Sequence, residues 1–412
     1  MATNSPPPRK KSKPNQDYVQ NPPPCGVLHH GKVLVASKAA FVSRPPLGKH
    51  MVNEGLKSDR VKETNYPTWE TKGIQYWATP RLSGSGACRV LTNRGAGDLS
   101  NQLRFESEYV QRYPDESKRG IVVNPVFTEW MQGLPRNWTS TESSPQEPSC
   151  KSNGGRIVAL DLFTGCGGLT LGLHPWVQSV GYCEFHVRYS EILSARIKSQ
   201  HLDNATIFPD VKTLTKSDLA KDPTISALPN GVDSIDLICA GFPCQNISNA
   251  GDQRGFQGEK SSLFYEVRRL IQELRPRHVF LENVSAITCA SMSPVLSTVV
   301  TSLDAEGYDA QWGVFEARHA GAPHRRKRWF LFATRRDADV EALRATVPPL
   351  SAALQAAMAQ QWPPSPPLEE RLLPHAAAAA RIRLETMGNM VCVPQAALAF
   401  RFLVHGGFVE SK

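Results

Sequence analysis

The chain has 412 residues, 41% hydrophobic and 21% charged, with a formal net charge of +9. That is enough apolar material for one large or two smaller folded domains. No apolar run approaches the length of a bilayer span and the amino terminus has no apolar signal core, which argues against a membrane protein. Nine cysteines without a CxxC pair or a histidine cluster argue against both a disulfide framework and a metal site.

In chain order, residues 1–60 carry ten Lys/Arg against three Asp/Glu, so most of the excess charge sits on this Pro-rich arm. With little apolar periodicity, the arm reads as disordered. Its charge suits nucleic acid through counterion release. Arg9-Lys10-Lys11-Ser12-Lys13, flanked by Pro6, Pro7 and Pro8, has the composition of a nuclear import signal. The expected location is therefore the nucleus in a eukaryotic host and the cytoplasm otherwise.

Residues 61–142 gain aromatics, and NPVFTEWMQGLPRNW at 124–138 places Phe127, Trp130 and Met131 on one helical face before a Gly133-Leu134-Pro135 stop. Residues 143–155 read as a linker. From 156 to 334, apolar strand patterns alternate with amphipathic helices. Strands are predicted at 156–162, ending at 184, at 205–208, 236–240, 278–281, 309–316 and 329–334. Helices are predicted at 186–200, 262–274 and 292–306. This order predicts an α/β fold with a doubly wound, mostly parallel sheet and one antiparallel edge strand. Residues 335–382 are an Ala/Pro-rich connection with a helix near 337–360. In the terminal region, 383–412, Gly388 and Asn389 open a last helix at about 394–403.

Two segments carry chemistry. LDLFTGCGGLTLGL at 160–173 runs from a strand through Phe163, Gly165, Gly167, Gly168 and Leu169 into a helix, with glycines that let the backbone approach a ligand. Glu184, followed by Phe185 at the end of the next strand, is placed to accept hydrogen bonds from a ribose. Asp210, followed by Val211, follows the short strand and is placed to accept from an adenine amino group. A nucleoside cofactor is implied. GFPCQNISNAG at 241–251 puts Cys244 on a Gly/Pro turn after a buried strand, where open α/β sheets place their reactive groups.

The order of these segments resembles the DNA cytosine C5-methyltransferases. The residues carrying the resemblance are Asp161-Leu162-Phe163 with Gly165, Gly167 and Gly168, then Pro243-Cys244-Gln245, Glu282-Asn283-Val284, Arg326 and Arg328, and Gly388-Asn389 with Val391. The resemblance implies a class I, Rossmann-like, S-adenosylmethionine-dependent methyltransferase, monomeric and acting on double-stranded DNA, with a small irregular recognition region. It also implies roles. Cys244 attacks cytosine C6, because C5 is too poor a nucleophile until a thiolate has been added. Glu282 binds N3 and the exocyclic amine. Arg326 is a candidate cation for the thiolate, and Arg328 contacts substrate or the active-site loop. Pro243, Leu263, Asn389 and Val391 join the 163–169 loop, Glu184, Phe185, Asp210 and Val211 around the cofactor. A target cytosine in a duplex must be extruded, and the Gly-rich 245–260 loop is long enough to close over it.

The sequence departs from the family pattern at His324, where Gln is usual, and at Met390, where Ser or Ala is usual. A segment like RExxxLQGFP is expected between the basic element and Gly388-Asn389. The similar NPVFTEWMQGLPRNW lies before the cofactor loop instead, in a manner similar to phage and algal-virus enzymes. Residues 61–142 are therefore expected to supply part of the recognition surface. Two other functions stay open: methylation of tRNA cytosine, although the Cys-Phe-Thr signature of that branch is missing, and a non-catalytic DNA-binding relative.

Overall fold

The structure, a computed structural model, describes residues 25–35, 122–142, 155–243, 263–351, 354–355, 358, 362–367, 370–373 and 378–406. In chain order it contains β1 (Gly26–His29), β2 (Lys32–Val35), β3 (Val122–Val123), α1 (Pro125–Met131), β4 (Ile157–Leu162), α2 (Gly168–Leu173), β5 (Val177–Cys183) and α3 (Val187–Lys198). Then come β6 (Thr206–Phe208), α4 (Lys216–Lys221), α5 (Pro223–Ser226), β7 (Leu237–Ala240), α6 (Leu263–Leu274), β8 (His278–Val284), α7 (Ser293–Ala305), β9 (Tyr308–Glu316) and β10 (Lys327–Arg335). The last elements are α8 (Glu341–Thr346), β11 (Leu372–Leu373), α9 (Ala378–Asn389) and α10 (Val393–Val404).

Nine strands form one sheet in the order β2-β1-β9-β10-β8-β7-β4-β5-β6. From β8 to β6 the neighbours are parallel, and β7 is buried along its whole length because helices cover both faces. On one face α6 presents Phe264, Val267, Leu270, Ile271 and Leu274 at helical spacing, and α7 packs beside it. On the other, Leu398, Phe400 and Leu403 of α10 meet Phe280, Phe315 and Phe330 of the sheet.

Several findings correct the sequence reading. The antiparallel part is a wing rather than a single edge strand. β10 pairs antiparallel with β8 and β9, and the hairpin β1–β2 joins β9. The hairpin lies within the arm expected to be disordered. Its two-residue turn has His30 and Gly31 at φ 45° and 74°, the geometry that suits the twist of a tight hairpin. Leu28 and Val33 bury against the main core, and Gly26 is required because a Cβ there would stand 2.5 Å from the Trp312 ring.

The 335–382 connection is also structured in part. Leu343 and Val347 are buried, Trp362 packs near Trp130, and β11 pairs with β3. The helix expected over 337–360 is interrupted: it stops at Thr346, before Pro348 and Pro349, because a residue preceding proline is pushed out of helical geometry, and residues 354, 355 and 358 are helical again. Finally, Gly388 and Asn389 close α9 rather than open the last helix. The stretch Ile382–Val404 is long and apolar enough to cross a membrane, contrary to the sequence reading, but 72% of its most apolar window is buried inside the protein.

Candidate active site

The chain runs from β4 outward through β5 and β6, then returns to the other side of β4 for β7 and β8. The crevice outside the carboxyl ends of β4 and β7 is therefore the switch point where such sheets bind ligands. Register fixes what reaches it. Leu162 lies opposite Cys183 and Ala240, and Ala240 lies opposite Leu281. The next residue on each strand is then Phe163, Glu184, Gly241 or Glu282, three of them candidate positions, in a row across neighbouring strand ends. Asp210 follows at the end of β6, whose Phe208 carbonyl accepts from the Glu184 amide at 3.0 Å.

The loop after β4 turns through left-handed backbone at Phe163 (φ 55°), Gly165 (φ 60°) and Gly167 (φ 86°). The three glycines do different work, which narrows the sequence reading. A Cβ on Gly165 would meet nothing within 4 Å, so this position opens onto free space. On Gly167 it would press on Leu202 and Leu193, and on Gly168 it would stand 2.8 Å from the Met390 side chain. Those two serve close packing and not ligand approach.

Glu184 is 8% exposed and accepts from the Gly165 amide at 2.7 Å and the His186 amide at 2.8 Å. Burial raises its pKa, partly opposed by those amides. A carboxylate has further lone pairs, so the pair of ribose hydroxyls can still be accepted. The neighbouring Phe185 ring is 78% exposed, an apolar face beside open space. Asp210 accepts from the Lys212 amide at 2.9 Å. These groups fit an adenosine-bearing ligand. Val211 and Val391 are buried and Leu169 and Leu263 partly buried, their side chains packed into the hydrophobic cores.

On the other side of the crevice, Asn283 is 2% exposed and donates to the Phe242 carbonyl at 3.1 Å, which ties the end of β8 to the turn through Gly241, Phe242 and Pro243. A Cβ on Gly241 would stand 3.3 Å from a Glu282 carboxylate oxygen. Cys244, Gln245 and the 245–260 loop lie outside the described residues. Glu282 has a side chain 14% exposed, with Arg328 Nε 2.9 Å from Oε1. Burial raises the Glu282 pKa, while the positive charges of Arg328 and Arg326 pull it down. Arg326 is 3% exposed and donates to the carbonyls of Gly388, at 2.9 Å, and Met390. Asn389 is exposed and hydrogen-bonds the Tyr189 hydroxyl.

Residues 157–377, more than half of the chain, match the family model for C-5 cytosine-specific DNA methylase. The chain belongs to that family. The Type II methyltransferase M.CviJI of Paramecium bursaria Chlorella virus IL3A is 35% identical over 182 residues, 44% of this chain and 44% of that protein. M1.ScrFI of Lactococcus lactis subsp. cremoris is 32% identical over 174 residues, 42% of this chain and 40% of that protein. The chain thus spans less than half the length of these relatives. Among solved structures, Entamoeba histolytica methyltransferase EhMeth aligns with a TM-score of 0.42 at 11% identity, covering 62% of this chain and 100% of that one.

Family membership makes the residues outside the matched stretch informative. Residues 122–142 are built into the body of the sheet and helices rather than standing apart from it. Trp138 donates to the Cys166 carbonyl of the cofactor loop at 2.7 Å, and Val393 donates to the Gln132 carbonyl at 2.9 Å. His324, fully buried, bonds the Met131 carbonyl through Nε2 at 2.8 Å. A carbonyl only accepts, so that nitrogen carries the proton. Burial, assisted by the charge of Arg326, lowers the His324 pKa to about 3 and keeps the ring neutral. The departures at His324 and Met390 are therefore contacts of the basic element and the cofactor loop, respectively. Sequence reasoning had the GLPRNW signal but no means of finding these partners.

Proposed function

We propose that this chain is a DNA cytosine C5-methyltransferase that uses Cys244 as its nucleophile and S-adenosylmethionine as methyl donor. The observation that carries the proposal is Glu282: a buried carboxyl with a raised pKa, paired with Arg328, at the strand end beside the turn that leads into Cys244. Arg328 offsets part of the cost of burying this group, and in its protonated form the carboxyl can also bond cytosine N3 and the exocyclic amine.

In this reading the Cys244 thiolate adds to C6, the C5–C6 electron pair moves toward C5, and Glu282 supplies the proton that N3 takes up. Bound S-adenosylmethionine supplies an electrophilic methyl group, with its adenosine end held by Glu184, Phe185 and Asp210. The C5 hydrogen then leaves as a proton to water, its electrons re-form the C5–C6 double bond as Cys244 is expelled as thiolate, and N3 returns its proton to Glu282. Arg328 keeps the Glu282 carboxyl aimed, and Arg326 ties the basic element to the 388–390 turn. The cytosine is extruded from duplex DNA to reach the site, and residues 61–142 contribute part of the recognition surface. The protein acts as a monomer, in the nucleus if the host is eukaryotic.

The test is incubation with labelled S-adenosylmethionine and either DNA or tRNA, beside Cys244→Ala. Label is expected in DNA and is lost in the variant. Label only in tRNA, or undiminished label with the variant, overturns the proposal.

A further inference from the structure

We infer that Trp138 is a positioning residue for the cofactor loop, holding the Cys166 carbonyl so that Gly165 keeps its open approach to the ligand. The inference rests on the cofactor reading proposed above.

The loop has reason to need an anchor. Cys166 lies between two glycines in left-handed conformations, Gly165 and Gly167, and glycine has the widest backbone freedom of any residue. One flank is tied by the Gly165 amide to Glu184. At the centre, the Cys166 carbonyl receives the Trp138 indole N–H at 2.7 Å. Trp138 is itself fully buried, with the Arg196 guanidinium 5.8 Å from its ring centroid and the His201 ring edge-on at 6.0 Å. It packs in one cluster with Cys166, Leu193, Leu202 and Met390. The bond is thus fixed at both ends.

What fixes Trp138 in turn is Glu129, fully buried on α1. Its carboxylate accepts from the amides of Asn137 and Thr139, each at 2.8 Å, from the Thr139 hydroxyl at 2.6 Å and from Arg383 at 2.8 Å. Two of these donors flank Trp138 directly and the Arg383 bond clamps the segment to α9. Residues 122–142 accordingly serve the cofactor side of the site, and removing them is expected to take cofactor binding with them.

The experiment is titration of the full chain with S-adenosylhomocysteine, the product form of the donor, at a temperature where each protein is folded. Trp138→Phe keeps an aromatic ring, though a smaller one, and deletes the N–H. Its Kd is expected to rise about tenfold, the scale of one hydrogen bond, with KM for DNA unchanged. A variant that melts earlier yet binds with the wild-type Kd overturns the inference, because that is what a purely structural role gives. If Trp138→Phe does not fold, Glu129→Gln stands in: a Kd raised about threefold supports the inference, and an unchanged Kd overturns it. Wild-type protein that binds no S-adenosylhomocysteine overturns the inference and the cofactor reading together. Wild-type protein that binds it but methylates no DNA overturns the proposed function alone and leaves the Trp138 result standing.

Discussion

The carboxyl edge of the parallel strands and the buried junction behind it hold one site by different means. At the edge, Phe163, Glu184, Gly241 and Glu282 reach the crevice because strand register delivers them there, each one residue beyond a paired position. At the junction, α1 and the turn after it are joined to α9 by Glu129–Arg383 and to the basic element by His324–Met131, contacts between residues far apart in sequence. The edge presents groups to a ligand, and the junction decides whether those groups hold their places. Damage to the first is expected to remove chemistry from a folded protein. Damage to the second is expected to remove the fold around it.

The largest effect is expected at the edge. Glu282→Gln keeps the shape and loses the transferable proton, so kcat should fall by about 100- to 10,000-fold, the range of general acid–base catalysis. S-adenosylhomocysteine affinity should be unchanged. The sign of the pH dependence follows from the raised pKa of Glu282: the protonated acid persists to higher pH than for an ordinary glutamate, and the wild-type rate falls as pH rises through that pKa. Steady-state kinetics across pH tests it, and a variant that keeps the same falling limb would show that another group supplies the proton.

This contrast also explains what the sequence could reveal. The strand ends are legible because a buried parallel strand is a short apolar run and the break in that run marks where the parallel pairing stops, although β8 itself continues through Glu282 to Val284 against β10. Cys239-Ala240 followed by Gly241, and Phe280-Leu281 followed by Glu282, can be read directly. The glycine loop was only half legible. Sequence identifies the glycines but not that Gly168 is there to clear Met390, a residue more than two hundred positions away. The hairpin was missed because its arm was judged by overall composition, although Leu28 and Val33 flank a His30-Gly31 turn. The junction was illegible for a plainer reason: Glu129 and Arg383 have no local pattern that names them as partners.

Arg383→Ala tests the second region. Breaking a buried ion pair costs about 3–5 kcal/mol. Glu129 would still accept from Asn137 and Thr139, so the lower end of that range is expected. Urea unfolding should show it as a lower midpoint with an unchanged slope. A loss below about 1 kcal/mol, the scale of an exposed ion pair, would show that the junction does not depend on this pair.

The smallest effect is expected at a contact that joins both regions. His324 belongs to the basic element, yet its ring is fully buried against the Met131 carbonyl, and its pKa drops from an ordinary 6.5 to about 3. The unfolded chain binds a proton below pH 6.5 that the folded chain refuses until about pH 3. The neutral ring's contribution to stability is therefore complete above pH 6.5 and declines as pH falls from 6.5 toward 3. His324→Gln keeps an N–H donor for Met131 and has nothing to titrate. At pH 8 the two proteins should unfold within about 1 kcal/mol of each other, the scale of one hydrogen bond. Below pH 6.5 the variant should become progressively more stable relative to the wild type. His278 and His319, also lowered to about 4 by burial, are present in both proteins and cancel in the difference. A stability difference that stays constant from pH 8 to pH 5 would mean that the folded ring takes up a second proton below pH 6.5 as readily as the unfolded one, and below that pH the basic element would then carry one more positive charge toward Glu282 than the neutral ring gives it.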